Sequence, residues 1–280
     1  MGKIHIVTDS TADFVEGDVE AYGIHVIPLN IYIDEKTFVD RVDLQPDVFL
    51  EMMRESKELP KSSQPPVGVF KQKYDELGAN GDQIISIHMT GSMSGTVEAA
   101  RNAAQMTDAD VTVIDSEYIS HALAFQAKEA AVMASEGATV EEIVERLKVV
   151  RDNTTLFVVV DVLDNLVKGG RIGKGAEMIG SFLNIKPIAM LKDGVYSPVG
   201  KARSHKQVVR QLFQAFQEDI EGKTVKGIGI SHANGQKMGE PLKKKIEDLG
   251  VVDEVPFTYT TPIISTHTGE GAIGFMYYAE

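Results

Sequence analysis

Short runs rich in isoleucine and valine alternate with longer stretches of helical period through the first half of this chain. No other feature restricts its folding as much. Residues 3–8, 24–29, 83–89 and 111–114 read as strands. Residues 46–56, 69–77, 97–105 and 122–134 carry helical spacing between them. Residues 139–152 form a further amphipathic pattern, with Ile143, Leu147 and Val150 on one face. Strands and helices in this rhythm predict a parallel sheet covered by helices.

The texture changes near residue 155. Residues 156–160, 185–191 and 195–199 read as strands with tight connections, and Lys192-Asp193-Gly194 reads as a hairpin turn. A helix over 205–220, a strand over 225–231, a helix over 237–249 and an apolar run over 271–278 follow. The expected organisation is α/β with two domains. An N-terminal parallel-sheet domain covers 1–153 and a C-terminal mixed-sheet domain covers 154–280. No Pro/Ser-rich linker marks the join, so the halves are expected to pack tightly.

Charge and composition narrow the function. A formal net charge of -13 repels phosphate backbones and anionic lipid, so nucleic acid is a poor partner and electrostatic membrane binding is not expected. No apolar run is long enough to span a bilayer. With no cysteine there is no disulfide and no thiolate metal site, and the histidines lack ligand-like spacing, so no metal is expected. The N-terminus runs straight into an apolar alternation without a signal-peptide core, which reads as cytoplasmic.

Ligands of open α/β sheets gather at the carboxyl ends of the strands. Three predicted strands end in small polar clusters: Thr8-Asp9-Ser10-Thr11, then Thr90-Gly91-Ser92-Met93-Ser94-Gly95-Thr96, then Asp115-Ser116. Asp9 and Asp115 read equally well as helix caps and as ligand groups. The middle cluster is more telling. Two glycines among hydroxyls at the start of a helix suit an anion, and without a lysine the loop is no nucleotide loop. Ser62-Ser63-Gln64-Pro65-Pro66 reads alone as a surface turn, but it can complete an anion site beside a second hydroxyl loop. Lys168-Gly169-Gly170-Arg171-Ile172-Gly173-Lys174-Gly175 fails the dinucleotide test, because Met178 stands where the third glycine belongs. It reads as a turn presenting Arg171 to a carboxylate, or equally as a solvated loop. His267, among hydroxyls and glycines, is a hydrogen-bond partner, a general base or a structural histidine.

Taken in order, these segments resemble the DegV family, a group of bacterial fatty-acid-binding proteins. The resemblance runs nearly the whole length. It rests on Val7-Thr8-Asp9-Ser10-Thr11, Ser62-Ser63-Gln64-Pro65, Ser94-Gly95-Thr96, Val113-Ile114-Asp115-Ser116, Lys168-Gly169-Gly170-Arg171-Ile172, Leu183-Asn184-Ile185-Lys186-Pro187-Ile188, Lys201-Ala202-Arg203 and His267-Thr268-Gly269. It implies two α/β domains with an acyl chain, such as palmitate or oleate, buried near their interface. It implies that Ser62 and Ser94 bind the carboxylate, with Ser63 and the Gly95 amide nearby and Arg171 and His267 lining the same region. It also implies that the protein is not itself an enzyme. It would present its lipid to a separate ATP-dependent fatty acid kinase that makes acyl-phosphate for phospholipid synthesis. Three departures stand out. Ser62 replaces a common threonine, Gly91-Ser92 replaces a common Ser-Gly, and Glu270 puts a charge near the expected site where proline is common.

For the chain lining, Met178, Ile179, Phe182, Leu183 and Met190 are the candidates, methionine because it adapts to different shapes. Two other readings stay open. One is an enzyme acting on a small anionic or carbonyl substrate, with His267 as base or nucleophile. The other is a regulatory module whose acidic face, around Glu141, Glu142 and Glu145, meets a basic partner.

Overall fold

The computed structural model describes residues 2–161, 163–178 and 185–280. Its strands are β1 (Ile4–Asp9), β2 (His25–Ile27), β3 (Asn30–Ile33), β4 (Lys36–Val39), β5 (Lys61–Ser63), β6 (Gln83–His88), β7 (Asp110–Asp115), β8 (Thr154–Val159), β9 (Lys186–Lys192), β10 (Val195–Ala202), β11 (Val225–His232), β12 (Phe257–Tyr259) and β13 (Ile273–Ala279). Its α-helices are α1 (Asp18–Ala21), α2 (Pro46–Glu55), α3 (Val67–Gly78), α4 (Thr96–Ala104), α5 (Ser120–Ser135), α6 (Val140–Asp152), α7 (Asp164–Lys168), α8 (His205–Asp219), α9 (Gln236–Asp248) and α10 (Pro262–Thr268).

The βαβ rhythm builds a four-stranded sheet in the order β2-β1-β6-β7, parallel throughout. The second half builds a six-stranded sheet in the order β10-β9-β8-β13-β11-β12, antiparallel except for β11 and β12. This is the expected parallel-plus-mixed α/β class. A third sheet, β4-β3-β5, is antiparallel and was not foreseen. It corrects the turn reading of Ser62 and Ser63, which lie on β5 with Ser62 opposite Ile31. The signal was weak because the strand is three residues of Lys-Ser-Ser, without the apolar alternation that marks strands.

Strand parity explains why the six-stranded sheet is buried on both faces. On β8, Phe157 and Val159 join the apolar cluster under α8 and α9, whereas Leu156 and Val158 join the cluster that includes α5. Helix α5 packs against β1 and β6 on one side and against β8, β11 and β13 on the other. It is accordingly apolar almost all round and rich in alanine, as a helix between two sheets must be. One apolar cluster thus runs from the parallel sheet across α5 into the mixed sheet.

Candidate functional site

The carboxyl ends of β1, β6 and β7 share one edge because those strands are parallel. Their acids serve structure there. Asp9 accepts from the amides of Thr11 and Met89 and contacts His88 Nδ1 at 3.0 Å. Asp115 accepts from the amides of Gly91 and Glu117 at 3.0 and 2.9 Å, which shapes the glycine loop. Neither caps a helix, since α4 and α5 have Gly95 and Ile119 at their N-caps without a side-chain cap, and neither lines the cavity described next, so both brace loops.

A cavity of about 420 Å³ opens beside this edge, well within the range of small-molecule sites. Ser62, Ser63, Ser94, Gly95, Arg171 and His267 all line it. These six are half-buried and stand with Gln64, which is exposed. The rest of the lining is largely apolar, and Leu29, Met89, Ile119, Val158, Leu191 and Tyr196 in it are buried. Gln64 was quoted in its sequence motif but not singled out as a site residue. Its role comes from packing. A Cβ on Gly95 would sit 2.0 Å from Gln64 Oε1, so only glycine admits the Gln64 amide there.

Each polar side chain is held by a neighbour. Ser62 Oγ lies 2.8 Å from His267 Nε2 on α10. Ser94 Oγ accepts from the Thr96 amide at 3.3 Å and contacts Thr96 Oγ1 at 2.8 Å, at the start of α4. The turn after α7 passes through Gly170 at φ +71° and brings Arg171 inward. Its Nε donates to the Met93 carbonyl at 3.1 Å and its Nη1 to the Gly169 carbonyl at 2.5 Å. Among the described residues, two of its five N–H groups are thereby used. Gly169 lies so close to His267 that a Cβ there would be 2.3 Å from Nδ1.

Burial, and then the Arg171 charge, lower the His267 pKa to about 4, so the ring is neutral at pH 7. Its Nδ1 is buried with no hydrogen-bond partner among the described residues. An orphan N–H costs more than an orphan lone pair beside a cation, which favours the proton on Nε2. His267 then donates to Ser62 and leaves the Ser62 hydroxyl hydrogen free for a ligand.

Two of the three departures have structural answers. Ser92 and Thr90 donate to the Gly194 carbonyl at the β9–β10 turn, so Ser92 clamps that hairpin to the loop and does not line the cavity. Glu270 faces outward, 2.6 Å from Arg54 and 3.0 Å from Asn234. Among the lining candidates, Ile179, Phe182, Leu183 and the side chain of Met178 lie outside the described residues. Met190 is a correction. It packs against the cluster under α8 and α9, while Leu191, one residue on and so on the opposite face of β9, lines the cavity.

Fold and site together define a three-sheet α/β protein with a cavity that joins polar groups to a buried apolar lining. A family model described as "Uncharacterised protein, DegV family" matches residues 3–280, and the chain belongs to the DegV family. A DegV domain-containing protein of Listeria monocytogenes is 41% identical over 281 residues, the full length of both chains. Two solved structures are closely similar. A DegV family protein from Thermus thermophilus, described as fatty-acid-binding, is 29% identical with a TM-score of 0.94, covering 99% of this chain and all of the other. DegV of Bacillus subtilis, described as a fatty acid binding protein, is 32% identical with a TM-score of 0.92, covering all of both chains.

Proposed function

We propose that this chain binds a long-chain fatty acid. The acyl tail lies in the apolar depth of the cavity and the carboxylate at its mouth. The observation that carries the reading is the make-up of one cavity, which joins half-buried hydroxyls, an amide and a guanidinium to a buried apolar lining. The Thermus and Bacillus relatives, described as fatty-acid-binding, support the ligand class.

In this reading the Ser62 and Ser94 hydroxyls donate to the carboxylate. Ser62 is freed to do so by the bond from His267. Ser94 Oγ accepts from the Thr96 amide, and with the Thr96 hydroxyl donating across their 2.8 Å contact its own hydrogen is left for the ligand. Ser63, the Gly95 amide and the other N–H groups of Arg171 complete the anion site, where the positive end of the α4 dipole adds to the charge complement. Burying about fifteen methylenes at roughly 0.8 kcal/mol each gives about 12 kcal/mol of gross transfer energy. Association costs remove several kcal/mol, which leaves affinity in the micromolar-to-nanomolar range. The polar mouth therefore orients more than it binds.

The reading extends to a division of the chain at 153/154 and to presentation of the loaded acid to a separate ATP-dependent kinase. The protein itself would be a carrier and not an enzyme. The alternative of an enzyme acting on a small anionic or carbonyl substrate, with His267 as base or nucleophile, is disfavoured because among the described residues no carboxylate orients His267 Nδ1. The first test is mass spectrometry of an organic extract of the purified protein. A fatty acid near one equivalent per chain is expected. No acyl species, together with failed loading by palmitate and oleate, sinks the reading.

A further inference from the structure

Behind Ile119, Val158, Ile264 and Thr268, which line the main cavity, lies a second chamber of about 20 Å³ that the same four residues also line. Its other walls include Ser120, Ser231, His232 and Thr260, all buried. Most of the wall is apolar, with Leu156, Ala272, Ile273 and Met276 beside these four, so the polar groups form a small patch, and an unpartnered polar patch against an acyl chain is costly.

The hydrogen-bond directions say what the chamber lacks. Thr260 Oγ1 donates to Asp13 Oδ2 at 2.9 Å, and Ser120 Oγ donates to the same oxygen. A hydroxyl carries one hydrogen, so the 2.9 Å contact between Ser120 and Ser231 is a donation by Ser231. The oxygens of Ser231 and Thr260 are left with lone pairs. His232 Nδ1 is buried with no partner among the described residues, while its ring is fixed between Phe257 and Tyr259 at centroid distances of 4.3 and 4.4 Å. Burial lowers the His232 pKa to about 4, so the ring is neutral at pH 7. The hydroxyl oxygens of Ser231 and Thr260 offer acceptors, and His232 Nδ1 offers a third with the ring proton on Nε2. The volume suits one water-sized group, which needs at least two polar partners to be held.

We propose that this chamber is a second subsite of the cavity that takes a single hydroxyl group carried at or near the far end of an acyl chain. Under an unsubstituted chain one water occupies it. The proposal rests on the fatty-acid reading above and adds a class of ligand to it: hydroxylated long-chain acids of one matching length. An ordinary apolar tunnel end rejects a terminal hydroxyl by stranding it without a partner. Here Ser231, Thr260 and His232 supply the acceptors.

The test is calorimetric titration of the delipidated full-length protein with saturated acids from laurate to arachidate and with their ω-hydroxy counterparts. At one length the hydroxy acid is expected to bind within about threefold of its parent, while other lengths lose about tenfold or more. His232→Phe, which keeps the ring stack, and Ser231→Ala are each expected to remove that exception, read as the hydroxy-to-parent ratio within each variant. A uniform penalty at every length, with ordinary acids binding normally, overturns the subsite and leaves the fatty-acid reading intact. Tyr196 offers a competing location, since its hydroxyl is also buried without a partner and lines the main cavity. An exception that survives both variants but disappears in Tyr196→Phe overturns the proposal as well. Binding of no acid at all overturns the parent reading and the subsite with it.

Discussion

Ser62 and His267 are 205 positions apart in the sequence and 2.8 Å apart in the fold. Each is unremarkable alone, and the pair acquires meaning from what surrounds it. Burial and Arg171 keep the imidazole neutral, and Gly169 lets the backbone of α7 close over it. Ser94 sits across the mouth and is the most direct probe of the anion site. Ser94→Ala is expected to weaken fatty-acid binding by about 1–3 kcal/mol, the cost of leaving a buried acceptor one donor short. Displacement of a fluorescent fatty acid measures this, and an unchanged dissociation constant would place the carboxylate elsewhere. Glu270 shows the reverse case. Its charge looked unfavourable beside an anion, but it is spent on Arg54 and Asn234 outside the cavity.

Elements differ in how plainly their residues announce them. Helix α5 shows its double burial in its composition, since a run of alanines with few charges suits only a helix packed on two sides. The β9–β10 hairpin was equally legible, because Asp193 at φ +51° and Gly194 at φ +74° form the turn that Asp-Gly favours. Its wider role was hidden. The Gly194 carbonyl accepts from Thr90 and Ser92, so the turn braces the loop that carries Ser94. A Cβ on Gly194 would lie 2.3 Å from Thr90 Oγ1. Gly194→Ala is therefore expected to cost about 1–2 kcal/mol from backbone strain alone, lowering the melting temperature by a few degrees. Hydrogen exchange should rise in the 90–95 loop as well as in the turn. Exchange confined to the turn would show that the brace does not matter. Strand β5 was missed because Lys-Ser-Ser is shaped by its pairing with β3 and not by any apolar pattern of its own.

At the scale of the molecule, three buried groups set opposing pH dependences. His232 and His267 both fall from 6.5 to about 4, in each case chiefly through burial. Their stabilising contribution is complete above pH 6.5 and is lost as pH falls toward 4, because the unfolded chain takes up their protons first. Asp40 rises from 3.8 to about 7, chiefly through burial, so its contribution is complete below pH 3.8 and is lost as pH rises toward 7. Each group contributes about 1.4 kcal/mol per pH unit inside its window. Two histidines outweigh one aspartate, so stability from this set rises with pH between about 4 and 6.5. Asp40→Asn removes the opposing group and should steepen the rise, as read by calorimetric melting temperatures across that range. A slope unchanged or shallower in Asp40→Asn would mean that Asp40 does not titrate as its burial implies. The sequence by itself determined the layer architecture, since the period of the apolar residues decides which surface each segment must bury. It also determined the glycine and hydroxyl loops, since those residues carry their backbone geometry and hydrogen-bonding capacity with them. Only the tertiary structure decided which loops meet at one mouth, which face of β9 supplies the lining and that Ser120, Ser231 and His232 share a chamber. Those outcomes depend on strand register and on pairings between residues more than a hundred positions apart, which no local period records.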